Sequence, residues 1–231
     1  MVFGNFSIDL NELEIIQRKI SKEVIETDRF NKKEKIGGVD VAYKKDYACA
    51  CATVFKNKKF VEAKLHIERM RFPYIPGFLS FREGPVIIKA IEKLDEKPDI
   101  TIFDGNGILH PRFCGIATHV GILLNIPTIG FAKKLLYGRL RAEPKKFGEY
   151  VPVIDREKVI GACLKNTEKS KPIFVSIGHR VSLKTAINIV LENSIFRVPE
   201  PVRKAHEIAS GKIKKFSFRT SKFIDGLKEI N

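Results

Sequence analysis

Apolar residues change their period several times along the chain, and each change marks an element. Ile8, Leu10, Leu13, Ile15, Ile16, Ile20, Val24 and Ile25 recur at the spacing of one helical face, which predicts a helix over residues 8–27 capped by Ser7 or Asp9. A polar, charged stretch at residues 28–34 ends that pattern. Residues 35–44, 47–55 and 60–70 read as strands, the third alternating Val61, Ala63, Leu65 and Ile67 with charged neighbours. With a turn at Asn57-Lys58, three consecutive antiparallel strands are the economical arrangement. Two prolines and a glycine keep residues 71–77 out of regular structure. Helical periodicity resumes over residues 78–94, where Gly84-Pro85 should break or kink it.

The middle of the chain alternates. Residues 99–103 form a short apolar strand ending at Asp104, residues 113–124 a helix and residues 128–131 a strand. Residues 149–154 and 158–164 make a hairpin around Asp155-Arg156, and residues 173–177 a further strand. Ser182, three residues before Thr185, caps a helix running through Leu191. From Val202 the chain is basic and helical, with the last ~15 residues reading as a basic tail. Three antiparallel strands followed by strand–helix alternation predict an α/β mixed sheet with parallel later strands and helices on both faces. The ribonuclease H-like fold has that order, and several other α/β folds share it.

Composition narrows the class. With 231 residues and 44% hydrophobic content, one domain spanning residues 1–231 can bury a sizeable core. Forty-two Lys and Arg against 27 Asp and Glu leave a net charge of +15. That surface suits a polyanion, because each neutralised phosphate releases counterions; a lysine-rich surface of a heat-loving organism would look similar. Cys49, Cys51, Cys114 and Cys163 form no C-x-x-C pair, and Cys49 and Cys51 fall on one strand face as small core residues. No signal peptide is seen and no apolar run reaches the ~18 residues that span a bilayer, so a cytoplasmic monomer with no membrane partner is expected.

Three carboxylates stand out. Asp40 interrupts an apolar strand, where an unpaired carboxylate is costly unless it is exposed at an edge. Asp104 ends a buried strand and leads into Gly105-Asn106-Gly107, as a ligand site at a strand's carboxyl end would, or a simple turn. Glu83 lies early in a helix, a position that equally suits a residue serving the helix dipole. Together they offer the oxygen donors that magnesium takes.

The residues also carry a resemblance. The stretch Pro73-Tyr74-Ile75-Pro76-Gly77-Phe78-Leu79-Ser80-Phe81-Arg82-Glu83 resembles the signature of the endonuclease V family, nucleases that cut near deoxyinosine or inosine. Gly38-Val39-Asp40, Asp104 to Arg112, Gly178 to Ser182 and Pro199 to Arg203 resemble its other blocks, although Asn106 stands where Gln or His is more usual. The resemblance implies a ribonuclease H-like fold, DNA or RNA containing inosine as partner, and magnesium or manganese as cofactor. It implies hydrolysis of the second phosphodiester 3′ to the lesion, leaving a 3′-hydroxyl and a 5′-phosphate, in DNA repair. Asp40, Glu83 and Asp104 fall on its metal-binding positions, and Lys133 and His206 on positions that assist at the scissile phosphate. Tyr74, with Ile75, Pro73 and Pro76, falls in a wedge that fills the gap left by the extruded base. Gly77 falls in the pocket that reads hypoxanthine, and His110 near the metal site. Without the resemblance, Tyr74 and Phe72 could simply anchor their loop, and both histidines could be surface residues. An inosine-RNA ribonuclease, a non-cleaving inosine-RNA binder and a resolvase-like nuclease are the competing readings.

Overall fold

Alternation in the first third of the sheet-forming sequence produces a meander of β3 (Lys35–Lys44), β4 (Tyr47–Lys56) and β5 (Lys59–Arg69), paired antiparallel. The computed structural model describes residues 2–3, 6–7 and 9–216, so the expected basic tail lies outside the described residues. Ahead of the meander are a two-stranded pair, β1 (Val2–Phe3) and β2 (Phe6–Ser7), and helix α1 (Leu10–Ser21). After it come α2 (Leu79–Glu92), β6 (Ile100–Asp104), α3 (Ile116–Leu124) and β7 (Thr128–Ala132). The chain continues through β8 (Tyr150–Asp155), β9 (Lys158–Leu164), β10 (Ile173–His179), α4 (Leu183–Glu192) and α5 (Glu200–Lys215). Eight strands make one sheet in the order β5-β4-β3-β6-β7-β10-β9-β8. β3, β6 and β7 pair parallel, whereas β10, β9 and β8 each pair antiparallel with their neighbours, so of the later strands only β6 and β7 make the parallel pairings expected. This is a ribonuclease H-like mixed sheet with an antiparallel extension.

Period-two alternation assigns the faces. Ile100, Ile102, Ile129 and Phe131 point to α4 and α5 and pack with Ile187, Val190 and Val202. Val39, Ala50, Ala52 and Phe103 point the other way, against Val86, Ile87 and Ala90 of α2 and Val120 of α3. Each fully buried Ile or Phe of this kind contributes ~1.5–3 kcal/mol by leaving water. Cys49 and Cys51 share a face and pack on Ala205, Ala209 and Ile213 of α5, and all four cysteines are buried and free. Among the described residues no helix is long and apolar enough to cross a membrane.

Two helices differ from expectation. Asp9 caps α1 by accepting from the Asn11 N–H at 2.9 Å, but the helix stops at Ser21 rather than near Thr27. Tertiary bonds take the remaining apolar residues: Ile25 carbonyl accepts from Arg180 N–H at 2.7 Å, and Asp28 accepts from Ser182 N–H at 2.6 Å and from the Thr185 hydroxyl at 2.7 Å. In α2 the helix continues through Gly84-Pro85 as one element, because Pro85 sits on its exposed side. The lost N–H of one proline is outweighed there by the buried face of Val86, Ile87, Ala90 and Ile91.

The start of α5 lies directly on β3. Thr53 hydroxyl, 1% exposed, donates to the Pro201 carbonyl at 2.8 Å, and a Cβ on Gly38 would come within 2.2 Å of the Pro201 carbonyl carbon. Gly38→Ala should therefore push α5 off the sheet and cost about 1–3 kcal/mol or more, lowering Tm by several degrees. Thermal melts of the two proteins check this; an unchanged Tm would show that α5 is not seated this tightly.

Candidate active site

Asp40 lies mid-strand on the α5 face, opposite in direction to Val39 and Val41. Its side chain is only 10% exposed, and Oδ2 stands 2.6 Å from Nδ1 of His206 on α5. The parallel register of Val39 with Phe103 brings Asp104, the last residue of β6, alongside it. Asp104 Oδ2 accepts from Lys133 Nζ at 2.8 Å, Lys133 being the residue after β7. Glu83 reaches the same end of the sheet from the first turns of α2, and its Oε1 accepts from the Tyr43 hydroxyl.

These carboxylates feel one another. Burial pushes the Glu83 pKa up from 4.5 to about 7, and the charges of Asp40 and Asp104 push in the same direction. Asp40 is likewise raised by burial and by Asp104, against the opposing pull of His206. Burial and the Glu83 charge drive the Tyr43 phenol well above its ordinary range, so it stays a donor. The Arg82 guanidinium lies 5.1 Å from the Tyr43 ring and donates to Phe72 carbonyl at 2.5 Å. Among the described residues, no three His, Cys, Asp or Glu groups are drawn together closely enough to hold a metal ion as they stand. Each carboxylate instead bonds its own donor. Hard oxygen donors gathered at one end of the sheet, with Asp40 and Glu83 raised by burial and by neighbouring carboxylate charge, are nevertheless the donor set that a hard divalent cation fits.

Beside the carboxylates, residues 72–77 form a loop fastened from beneath. Gly77 has φ +82° and its carbonyl accepts from Gln17 Nε2 at 3.1 Å, Arg112 Nη2 at 2.8 Å and His110 Nε2 at 3.1 Å. Arg112 N–H donates to His110 Nδ1 at 3.2 Å, so the proton of this neutral imidazole sits on Nε2. Burial, aided by Arg112, depresses the His110 pKa to about 4. His110 thus commits one ring nitrogen to the Gly77 carbonyl and the other to the Arg112 N–H, at the base of the loop. Arg112 also donates through Nε to Gln17 Oε1 at 2.5 Å and through Nη1 to Glu14 at 3.0 Å, and its guanidinium carbon lies 4.4 Å from the Phe78 ring centroid.

On this base stands Tyr74, 67% exposed and therefore not an anchor, while Phe72 is partly buried with its ring 6.0 Å from that of Phe81. Pro73 and Ile75 are partly buried and Pro76 is exposed. Below Tyr74 opens a cleft of about 170 Å³ lined by Gly77, Leu79, Ser80, Gly105, Asn106, His110 and Leu136 among others. The N-terminus of α2 opens into it without a side-chain cap. Among the described residues nothing accepts from the backbone N–H of Gly77, Leu79 or Ser80.

The sequence profile of the Endonuclease V family matches residues 18–207, a span that holds every one of these candidate residues except Gln17 and Glu14. The chain belongs to the Endonuclease V family. It is an endonuclease. Endonuclease V of Dictyoglomus turgidum is 45% identical over 194 residues, covering 83% of this chain and 85% of that protein. The crystal structure of Streptomyces avermitilis Endonuclease V superposes with a TM-score of 0.84 at 30% identity, covering 93% of this chain and 97% of that one. Ciona intestinalis Endonuclease V, crystallised with a 24-mer DNA containing an inosine followed by a ribo-adenosine, superposes with a TM-score of 0.80 at 28% identity, covering 90% of this chain and 98% of that one.

Tyr43, Gln17 and Arg112 were not singled out from the sequence. Tyr43 had a usable signal: three residues from Asp40 in a strand, it must face α2 and hence Glu83. Gln17 had none, being one polar residue in an amphipathic helix.

The raised pKa of Glu83 gives this site a pH signature. The folded state holds that proton to about pH 7 and the unfolded chain only to 4.5, so folding takes up a proton between those values. Stability from this group is present below about 4.5 and falls as pH rises towards 7. In chelator, Glu83→Gln should remove that fall, its Tm gaining on wild type as pH rises. Melts at fixed ionic strength from pH 4.5 to 7.5 read the difference; parallel curves would mean Glu83 titrates normally.

Proposed function

We propose that this Endonuclease V recognises inosine in nucleic acid and hydrolyses the second phosphodiester 3′ to it. The products would be a 3′-hydroxyl and a 5′-phosphate, and the role DNA repair. One observation carries the reading: three carboxylates gathered at one end of the sheet lie beside a cleft with unpaired N–H donors, under a stiff loop bearing an exposed tyrosine. A nuclease reading alone accounts for the carboxylates but not for the cleft and loop. The Ciona relative's complex with inosine-containing DNA supports the same reading.

Asp40, Glu83 and Asp104 would hold magnesium, with manganese able to replace it. Bound there, the cation supplies Lewis-acid charge stabilisation at the phosphodiester. The chain's own groups do the rest. Lys133 Nζ, already at Asp104, places a fixed positive charge where the phosphate arrives. His206, its Nδ1 held by Asp40, is oriented to assist proton transfer at the same phosphate. Taking a base out of the stack costs a few kcal/mol, and Tyr74 offsets that by stacking in the gap. The extruded base enters the cleft, where the N–H groups of Gly77, Leu79 and Ser80 meet its acceptor edge.

End-labelled DNA and RNA oligonucleotides, each with one inosine, test the reading. In magnesium or manganese both the position and the end chemistry should match, undamaged strands should stay intact, and chelator should stop the reaction. Asp104→Asn should abolish cleavage while largely preserving binding. Full activity in excess chelator, or equal cutting of undamaged strands, sinks the proposal; preference for the RNA strand would reassign the substrate to inosine RNA.

Tyr74→Ala should weaken binding to an inosine duplex by roughly ten- to a hundredfold, a stacking loss of ~1–3 kcal/mol. A single strand should suffer less and Tm should hold, because the ring is exposed. Equal weakening on both substrates would remove Tyr74 from strand separation.

A further inference from the structure

Ile195 and Phe196 sit side by side on the surface at 73% and 57% exposure, in the loop between α4 and α5. The core does not use them, yet their loop is tied down firmly. Asn166, 1% exposed, donates through Nδ2 to Ser194 Oγ at 2.9 Å, Arg197 carbonyl at 3.0 Å and Phe196 carbonyl at 3.4 Å. Arg197 Nη2 donates to the carbonyls of Lys133 and Pro172 at 2.9 and 3.0 Å. A buried amide given over to a surface loop makes that loop rigid at the cost of desolvating a polar group.

The position of the loop is informative. Lys133, whose carbonyl holds Arg197, reaches Asp104 with its ammonium. Leu136, three residues on, lines the cleft below Tyr74. Residues 133–136 therefore run from the Arg197 contact to the cleft, with Lys133 reaching Asp104 along the way. Lys133, Lys134 and Lys171 are exposed around it, while the Arg203 guanidinium, its carbon 5.5 Å from the Phe196 ring centroid, is paired with Glu200. Flexible lysines around one rigid aromatic are the makings of a stacking platform for a single nucleic-acid strand.

We propose that Phe196, flanked by Ile195, stacks a base of the cut strand on the side of the scissile phosphate away from the lesion, with Lys134 and Lys171 beside its phosphates. This rests on the inosine-strand reading above and adds to it a second contact region, beyond the cut. The occupant is the substrate strand rather than another protein surface, because the exposed Lys133, Lys134 and Lys171 beside the apolar pair attract phosphate. It also explains why a loop with two large exposed apolar residues is held rigid at the active centre.

The test compares kcat and KM for two single strands with one inosine, one continuing about eight nucleotides past the cut and one ending at the first. Wild type, Phe196→Ala and Phe196→Trp are each measured, with sedimentation of every protein. Phe196→Ala should raise KM for the long strand roughly tenfold, leave kcat alone and change the short strand less than twofold. Phe196→Trp should restore the long-strand KM. Equal losses on both strands, no loss on the long strand, or a change only in self-association overturns the platform. Wild type that cuts undamaged strands equally well defeats the inosine reading instead, and the length comparison still decides the platform.

Discussion

Asp40 and Asp104 occupy neighbouring parallel strands, one step beyond the Val39–Phe103 pairing, and Glu83 comes to them from α2. Three like charges so placed oppose folding, and each is compensated by a donor from a different part of the molecule. His206 can meet Asp40 only because α5 is seated on Gly38 and bonded by Thr53. Lys133 meets Asp104 because β7 lies beside β6 in parallel register. Tyr43 meets Glu83 because strand alternation turns it to the face opposite Asp40. Neutralising the site thus requires the central sheet, both helical layers and the α5 docking to be right together. A strained electrostatic centre at the carboxyl ends of strands is where such a fold concentrates chemistry.

The loop beside it is governed by hydrogen bonding instead. One carbonyl, that of Gly77, receives three side-chain donors, and the glycine supplies the positive φ that aims it at them. A Cβ there would come within 2.8 Å of Arg112 Nη2, so both conformation and space demand glycine. Gln17 brings α1, distant in sequence, into this knot. The consequence is a division of labour: residues beneath the loop are locked, and Tyr74 above it is left in solvent.

Much of this could be read from the chain and some could not. Apolar runs bounded by turns, with clear period-two alternation in β5, located the three-strand meander and the β8–β9 hairpin almost to the residue. The same counting overran α1 by six residues, since Val24 and Ile25 are apolar for reasons outside the helix: the segment is drawn to Arg180, Ser182 and Thr185. The direction of β10 against β7 was invisible, because apolar runs carry no polarity. Asp40, Glu83 and Asp104 were each ambiguous alone, and only the fold shows them coupled. The role of His110 needed its two bonding partners, which no spacing reveals.

Charge bookkeeping at the carboxylates links the two regions to the proposed chemistry. The surface is strongly positive, +15 overall, and draws in a polyanion from a distance. At close range the phosphate meets three carboxylates, with Lys133, among the described residues, the permanent cation bonded to them. Tyr43 contributes a proton donor but no charge, and Arg82 is directed at the Phe72 carbonyl and the Tyr43 ring rather than at Glu83. A phosphodiester arriving at such a centre would be repelled by the very groups that must act on it. Positive charge brought by a bound divalent cation removes the contradiction. It lowers the carboxylate pKa values, satisfies the oxygen donors and turns the local potential to the sign of the long-range field. On that reading the raised pKa of Glu83 is the mark of a site built for a charge that the polypeptide itself does not supply.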